Sequence, residues 1–572
     1  MFDTAHQATQ TSFHEVTDGV AVSEGAWRIP LTRQILVPEV CEWLGRLHRA
    51  LEPVRQSLLE ARRERQMAYD AGKLPGFLPE EELPEAHGDW KVAPIPADLL
   101  RRRVEITGPI SNAKMVINML SRTADGVRAD AAMLDFEDSM KPSWQNVMAG
   151  VRNLIGVAEG TLEYIKYDEQ GRVQKVYKLN PEDMPIVMVR CRGLHLYESN
   201  VTVDGEPVSA GLLDLTLSAF YTARRFMEQG RTPKYYVPKC EHYLEARWWN
   251  TLFRMLEEEL GVPIGTLRTT FLIETLPAAF QMEEILYELR ERATGLNVGR
   301  WDKIFSDIKV LKEHADRILA DRGTISLNRP WMRNYALLLI KICHRHGAFA
   351  MGGMAAFTPG KTPEEREEQT RKVVEDKQLE FSMGHDGCWV SHPYFIAPAL
   401  SAFPRDNQLE VIPDISDRPD LLPKGTPPHT LEGLRKNIRV GIAYMRGWLQ
   451  DIGCIAWDNL MEDLATLEIS RAQTWQWLHH RIQLDDLDEP VTEELIHRVF
   501  DEEHLRIVRE MEQQYAHKPD LLTRILAEFQ QGRAVAEHIY TEAVFRPFLT
   551  CYSELVGVPP SLTSSRNLKG CA

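Results

Sequence analysis

Eight short apolar runs between about residues 100 and 395 constrain the fold of this chain more than any other feature. Segments with helical periodicity, such as LEARWWNTLFRMLEEELG, separate them. The runs read VEITGP, AAMLDFED, PIVMVRCRG, YYVPK, RTTFLIET, GLNVGRW, FAMGGMAA and LEFSMGHDGCWV. Parallel strands that are buried on both faces give continuous apolar runs, not alternating ones. Eight such runs alternating with helices predict an α/β fold, a TIM (β/α)8 barrel over residues 96–400.

Segments with other patterns flank or interrupt the predicted barrel. Residues 31–71 repeat apolar residues at helical spacing, and a stretch rich in Pro, Gly and acid follows, so we expect a helical unit and linker over 1–95. TLEYIKYDEQGRVQKVYKLN alternates about a Gly turn and predicts a β-hairpin inserted near 160–180. Helical periodicity returns after a linker over 401–430 and predicts a C-terminal helical domain over 431–572.

The charge balance and the cysteines bear on partners and compartment. The 67 Lys and Arg against 83 Asp and Glu give a formal net charge of -16, which opposes nucleic-acid binding. No run approaches 18 uncharged apolar residues, so no membrane association is expected. The N-terminus lacks the order of a signal peptide, and the eight cysteines form no C-x-x-C pair. These features predict a reduced, cytoplasmic protein whose anionic substrates need a local cationic pocket.

Charged residues close several of the predicted strands. In a barrel of this kind the chemistry lies at the carboxyl ends of the strands. Either Glu274 or Asp302 alone could be a helix cap, since each precedes a helical segment. Their convergence on one rim, with cations opposite, favours a functional site. The strand-closing residues are Asp135, Glu137, Asp138, Arg190, Arg192, Lys239, Glu274 and Asp302.

Glu274 and Asp302 predict a metal site of a particular kind. Two carboxylates, without a constellation based on His, Cys or Ser, describe a hard oxygen site, which suits Mg²⁺ with water and substrate as further ligands. Arg192 and Lys239 would then bind an anion. A metal-chelated 2-oxo acid fits such a site, because chelation polarises the carbonyl while the cations offset the substrate's charge.

Several separated segments resemble the malate synthase family. GLNVGRWDKIF resembles its signature, and seven further segments follow in family order across roughly residues 100–480: TGPISNAKMVINML, DFEDSMKPSWQN, RGLHLYE, LIETLPAAFQMEEILYELR, MGGMAAF, DGCWVSHP and LMEDLATLEISRAQTWQW. The resemblance is to the shorter, A-type form, which has an N-terminal helical clasp, a TIM barrel and a C-terminal helical plug. It implies a Mg²⁺-dependent Claisen condensation of acetyl-CoA with glyoxylate, then hydrolysis to malate and CoA, as in the glyoxylate cycle.

The resemblance also implies roles for individual barrel residues. Glu274 and Asp302 match the family's magnesium ligands. Arg192, the Arg of its RG-x-H segment, is expected to contact glyoxylate and to stabilise the enolate oxygen of acetyl-CoA. The backbone N–H groups of Gly299 and Trp301 fall where the family binds the glyoxylate carboxylate.

Asp463 matches the family's catalytic base, and there is an independent reason to need one. Removing a proton from the methyl group of a thioester requires a base aimed at it, and a bound metal ion lowers the basicity of its own carboxylate ligands. A third acid, from outside the barrel, is therefore required. The alternative is that Glu462 or Asp463 only caps the following helix. Met461 is expected either to line the CoA channel or to pack in the core.

Some residues near the predicted site depart from the family pattern, namely Leu194, Lys303, Phe357, Tyr394 and the segment Cys454–Trp457. None replaces a predicted ligand, the Arg or the base. Leu194 in place of Trp suggests one alternative, a related acyl-CoA condensing enzyme or lyase for a larger 2-oxo acid. A second alternative is a catalytically silent CoA- or metal-binding relative. Retention of the whole predicted set argues against the latter: Arg192, Glu274, Asp302 and Asp463. The sequence leaves the oligomeric state open.

Overall fold

A computed structural model describes residues 12–551, so residues 1–11 and 552–572 of the predicted end domains lie outside it. The N-terminal part is a β-hairpin followed by helices, the longest of which spans 33 residues. Pro30 and Pro38 each start a helix, where the missing N–H is not needed. The elements are β1 (Phe13–Thr17), β2 (Val20–Ser23), α1 (Glu24–Trp27), α2 (Pro30–Ile35) and α3 (Pro38–Asp70).

Eight parallel strands of the central part close into a barrel. Each of the eight apolar runs overlaps one of these strands, so the TIM-barrel prediction is confirmed. The strands of this part, barrel and inserted, are β3 (Val104–Pro109), β4 (Ala131–Asp135), β5 (Glu163–Tyr167), β6 (Val173–Lys178), β7 (Ile186–Arg190), β8 (Tyr197–Val203), β9 (Glu206–Ser209), β10 (Lys234–Val237), β11 (Arg268–Ile273), β12 (Ala293–Val298), β13 (Phe349–Ala355) and β14 (Gly387–Val390). Around the barrel the order is β3, β4, β7, β10, β11, β12, β13 and β14.

The four strands outside the barrel form two structures. β5 and β6 form an antiparallel hairpin in the segment for which the alternating apolar and polar residues predicted one. β8 and β9 join β1 and β2 in a four-stranded antiparallel sheet, which no pattern in the sequence predicted. Pairing between Val20–Val22 and residues about 180 positions later is non-local, so neither partner reveals it alone.

Helices surround the barrel. The eighth apolar run begins inside one of them and turns at Gly384, whose φ of 114° suits glycine, before its strand begins. A π-helical turn over 219–223 joins two others. The helices are α4 (Ala113–Met119), α5 (Trp144–Glu159), α6 (Ala210–Ser218), α7 (Arg224–Glu228), α8 (Tyr243–Leu260), α9 (Leu276–Ala279), α10 (Met282–Glu288), α11 (Arg300–Val310), α12 (Pro330–Arg345), α13 (Pro363–Met383) and α14 (Ile396–Ala402).

The C-terminal part, which we call the plug, is helical with one short hairpin. Its elements are α15 (Leu431–Leu449), β15 (Ile455–Trp457), β16 (Leu460–Glu462), α16 (Leu464–His479), α17 (Glu493–Tyr515) and α18 (Pro519–Tyr540). Apolar side chains of α16 and α11 share one buried cluster. The backbone N–H of Met461 donates to Ala356 O at 2.7 Å, and that of Leu464 donates to Asp138 O at 3.1 Å. The plug therefore lies over the carboxyl ends of the barrel strands.

The long helix α3 braces the same end of the barrel. Two nitrogens of Arg62 lie 2.7 Å from the two carboxylate oxygens of Glu245, and Nη2 also donates to Lys239 O at 2.8 Å. Nε of Arg55 donates to Leu194 O at 2.6 Å. Both guanidinium groups are buried. Removing one partner of such a pair is expected to destabilise the fold by about 3–5 kcal/mol.

Two observations concern the predicted compartment. No helix within residues 12–551 is long and apolar enough to cross a membrane. Among the cysteines of residues 12–551, six are free and five of these are buried, whereas Cys551 is disulfide-bonded, which the scattered cysteines did not predict. The cytoplasmic setting stays a prediction.

Candidate active site

The ammonium group of Lys239 lies among buried carboxylates at the carboxyl end of the barrel. Its Nζ is 2.5 Å from Glu137 Oε1, 2.7 Å from Asp138 Oδ2 and 3.1 Å from Asp302 Oδ1. Its backbone N–H donates to Glu274 Oε1 at 2.8 Å. All five residues are buried. The structure thus brings together residues that follow β4, β10, β11 and β12, as the strand-end pattern predicted.

Glu274 and Asp302 reach this cluster from neighbouring strands. Glu274 follows β11 directly, and Asp302 lies in the first turn of α11, just after β12, which pairs with β11. Gly299 permits the approach, because a Cβ there would lie 2.5 Å from Glu274 Cβ and 2.6 Å from its Oε2. Gly299 is also the N-cap of α11. The first N–H groups of that helix, including that of Trp301, have no acceptor within the helix.

The cluster holds more negative than positive charge. Burial raises the pKa of Asp302 well above its ordinary value, and the nearby Asp138 carboxylate raises it further. Burial also raises the pKa of Glu274, while Lys239 and Arg190 oppose that change. Four carboxylates lie around Lys239, and the other nearby cation, Arg190, is also paired with Asp135, so a further cation would stabilise their ionised forms.

Arg190 faces this cluster. It forms a bidentate pair with Asp135, with Nε–Oδ1 and Nη2–Oδ2 distances of 2.7 and 2.6 Å. Its Nη1 lies 3.2 Å from Glu137 Oε2. Two residues earlier on β7, Met188 packs in the apolar cluster inside the barrel. Since side chains alternate along a strand, this spacing was the available signal that Arg190 points inward.

Arg192 has different partners. Its Nε and Nη2 donate to Asp214 at 3.0 and 2.8 Å, and its Nη1 donates to Glu198 at 2.9 Å. Its backbone N–H also donates to Asp214, at 2.9 Å. The carboxylates raise the pKa of Arg192 against the opposing effect of burial. Its guanidinium is thus bound along two edges to groups outside the carboxylate cluster.

Asp463 is the N-cap of α16. Its Oδ1 accepts from the N–H of Thr466 at 3.2 Å, and the Thr466 hydroxyl accepts from the N–H of Asp463 at 3.0 Å. The capping role considered from the sequence is therefore real. It occupies only one carboxylate oxygen, so Asp463 can also serve as a base. The hydrogen bond from Leu464 to Asp138 O places this cap at the barrel rim.

The electrostatic surroundings of Asp463 suit a proton acceptor. Burial raises its pKa to about 7, and the Asp138 carboxylate contributes to the rise. The positive charge of Arg190 acts in the opposite direction. A base with a pKa near 7 can both hold and release a proton at neutral pH.

A cavity of about 500 Å³ lies between the barrel loops and Met461 of the plug. Loops after β3 and β14 form its walls. Both polar and apolar side chains line it, among them Thr107, Met115, Arg122, His392, Tyr394 and Met461. The size and mixed lining suit an elongated organic ligand.

The residues that depart from the family pattern have separate surroundings. Lys303 is buried and ion-paired with Asp307, and its Nζ lies 5.6 Å from the centre of the Tyr335 ring, so it is not part of the carboxylate cluster. Leu194 is fully buried. Tyr394 is 43% exposed and lines the 500 Å³ cavity.

The fold and site together define a class of protein. A closed parallel barrel with a buried carboxylate cluster at its strand ends, covered by a domain that adds a further acid, has the architecture of a TIM-barrel enzyme. Family models of malate synthase match three regions: the N-terminal domain at 30–83, the TIM barrel domain at 186–416 and the C-terminal domain at 428–543.

Curated relatives agree with these matches. The chain is 43% identical to the malate synthase of Myxococcus xanthus (strain DK1622) over 544 residues, which cover 93% of this chain and 95% of that protein. It is 42% identical to malate synthase A of Escherichia coli (strain K12) over 529 residues, which cover 91% and 95%. The chain therefore belongs to the malate synthase family. A solved Haloferax volcanii malate synthase is 14% identical over 78% of this chain and 99% of that one, at a TM-score of 0.42, too loose a likeness to bear on the site.

Proposed function

We propose that this enzyme condenses acetyl-CoA with glyoxylate and hydrolyses the resulting malyl thioester to malate and CoA, with Mg²⁺ as cofactor. One observation carries the proposal: an acid with a pKa of about 7, Asp463, lies across the barrel rim from a buried carboxylate cluster that has too few cations. Family membership supports the same reaction.

Glu274 and Asp302 would hold the Mg²⁺. Glu274 Oε2 is buried and accepts no hydrogen bond from the described residues, and the pair lies within the excess of negative charge. No group of three or more His, Cys, Asp or Glu within residues 12–551 could hold a metal ion by itself. Substrate and water would therefore complete the ligand set, as is usual for magnesium. When bound, Mg²⁺ would polarise the carbonyl of the 2-oxo acid and offset its charge.

The N-terminus of α11 would bind the glyoxylate carboxylate. The N–H groups of Gly299 and Trp301 lie there, beside Glu274 and Asp302, and that of Gly299 also contacts the Tyr335 hydroxyl. The N-terminus of a helix and its dipole favour an anion at such a position. This contact would orient the aldehyde carbon of glyoxylate toward the plug.

Asp463 would then remove a proton from the methyl group of acetyl-CoA. The enolate oxygen that forms needs a positive hydrogen-bond donor, and we place this role on Arg190, not on Arg192. Arg190 is the guanidinium whose charge acts on Asp463, and Asp135 holds it in place. The 500 Å³ cavity that ends at Met461 would accommodate CoA. The enolate carbon attacks the glyoxylate aldehyde, whose oxygen becomes the hydroxyl group of malate.

The direct test is release of free thiol from acetyl-CoA in the presence of glyoxylate and Mg²⁺. We expect release that depends on glyoxylate, and its loss with EDTA and in Asp463→Asn. Pyruvate and 2-oxobutyrate serve as alternative acceptors. A clear preference for either would mean that the acceptor is a larger 2-oxo acid and not glyoxylate. Full activity in Asp463→Asn would remove Asp463 from its role.

The pH dependence of kcat/KM tests the environment of Asp463. Because the base acts only when deprotonated, kcat/KM should rise tenfold per pH unit below about pH 7 and level off above it. Asp138→Asn should move this limb to lower pH, since a neighbouring negative charge is lost. The exposed Asp414→Asn is the matched control. A limb near pH 4, the ordinary range of a carboxyl group, would contradict this environment.

Conservative substitutions distinguish the catalytic role proposed for Arg190 from the structural role proposed for Arg192. Arg190→Lys should lower kcat by about 100-fold or more, the usual effect of losing one donor to a developing oxyanion. Arg192→Lys should lower the thermal midpoint of unfolding and leave kcat much less affected, because Arg192 pairs with Asp214 and Glu198. Kinetics and circular dichroism on both variants make the comparison. Loss of turnover in a stable Arg192→Lys protein, with Arg190→Lys active, would return the role to Arg192.

A further inference from the structure

A small, partly enclosed cavity, which we call the chamber, lies on the plug side of Lys239. The space open to the centre of a water molecule is about 10 Å³, enough for one water. Polar and apolar side chains line the chamber from both the barrel and the plug. Its lining includes Glu137, Asp138, Lys239, Leu464, Glu468 and Phe548.

Asp138 lines the chamber and has one carboxylate oxygen that could accept a hydrogen bond from a water there. Its Oδ2 pairs with Lys239 Nζ at 2.7 Å, whereas its Oδ1 is buried and accepts no hydrogen bond from the described residues. Asp138 is only 1% exposed. An unsatisfied carboxylate oxygen at this depth is costly, and one donating water would satisfy it.

Phe548, in the segment 541–551 that we call the C-terminal strap, covers the chamber. Its ring centre lies 4.1 Å from that of His195 and 5.6 Å from that of Phe305. Lys309 Nζ lies 4.8 Å from the same ring centre. Phe548 is buried, so this side of the chamber is closed to bulk solvent.

Hydrogen bonds to α16 hold the strap in place. The N–H of Leu549 donates to Glu468 Oε1 at 2.7 Å. Nη2 of Arg471 donates to Arg546 O at 2.6 Å. The helix that is capped by Asp463 therefore also fixes the cover of the chamber.

The chamber adjoins the base. Leu464, which lines it, follows Asp463 in the chain and donates its N–H to Asp138 O. If Asp463 contacts the methyl group of the acetyl thioester, the thioester carbonyl carbon lies one bond further on. A water held by Asp138 is then close to the carbon at which hydrolysis occurs.

We propose that the chamber holds the water that hydrolyses the malyl thioester, with Asp138 as its general base; this rests on the proposed function. The water oxygen bonds to the thioester carbonyl carbon as its proton passes to Asp138 Oδ1. The C–S bond then breaks, and the CoA sulfur leaves and takes up that proton. The remaining water hydrogen becomes the acid proton of malate, which ionises in solution. No oxidant or reductant is needed.

Exclusion of bulk water from the thioester also helps condensation to occur before hydrolysis. Bulk water at the site would hydrolyse acetyl-CoA before condensation. One held water under Phe548 limits this side reaction, while the substrate and the plug cover the rest of the rim. The strap residue is thus a positioning residue, and Asp138 is the group that contacts the reacting water.

The test supplies malyl-CoA directly at pH 8.5, where Asp463 is deprotonated with or without the Asp138 charge. Asp138→Asn should hydrolyse malyl-CoA at least about 100-fold more slowly than the unsubstituted enzyme. Given acetyl-CoA and glyoxylate, it should accumulate malyl-CoA, as followed by mass spectrometry. Asp463→Asn should show the reverse, with condensation lost and hydrolysis of supplied malyl-CoA retained. Hydrolysis by Asp138→Asn at the unsubstituted rate would overturn the proposal.

A second pair of variants tests the chamber without changing a charge. Phe548→Ala should open the chamber and raise thiol release from acetyl-CoA in the absence of glyoxylate. Phe545→Ala is the control, because Phe545 belongs to the strap but packs on Trp475, at 5.1 Å between ring centres. Equal behaviour of the two variants would overturn the role of the chamber. If the unsubstituted enzyme fails to condense the substrates, the proposed function itself is wrong.

Discussion

The site depends on one buried ion cluster, the Lys239 ammonium held among carboxylates that three other strands supply. Lys239 adopts a φ of 52°, a strained value for a residue with a side chain, so its surroundings must hold it there. Arg62 of α3 binds its carbonyl, and Glu274 binds its N–H. The N-terminal helix and the barrel therefore meet at the backbone of one residue.

The plug adds the acid that the barrel lacks. Carboxylates around a cation lose basicity, so proton removal needs a group outside that cluster. In the proposed reaction Asp463 would meet this need, because the helix cap fixes its position through one carboxylate oxygen. The next residue, Leu464, donates its N–H to Asp138 O, and this hydrogen bond fixes the plug beside the cluster. The contact that places the plug on the barrel therefore also places Asp463 beside the cluster.

Much of this arrangement could be predicted from the sequence, whereas some strand pairings and side-chain partners could not. The eight barrel strands were visible because burial on both faces leaves continuous apolar runs. The sheet of β1, β2, β8 and β9 was not, because short strands paired over 180 residues carry no local signal. The direction of Arg190 follows from strand alternation, and Lys303 and Asp307 are four residues apart on α11, so both had a local signal that was not used. Residue type and spacing predicted which residues meet at the rim, but not their partners.

The most direct test of the account is the position of the metal. Crystals grown with Mn²⁺ in place of Mg²⁺ and with glyoxylate would locate the ion by its anomalous scattering. The account predicts one strong peak bound by Glu274 and Asp302, with glyoxylate oriented toward Asp463 and the N-terminus of α11. A peak bound instead by Glu137 and Asp138, or an ion remote from the cluster, would contradict it.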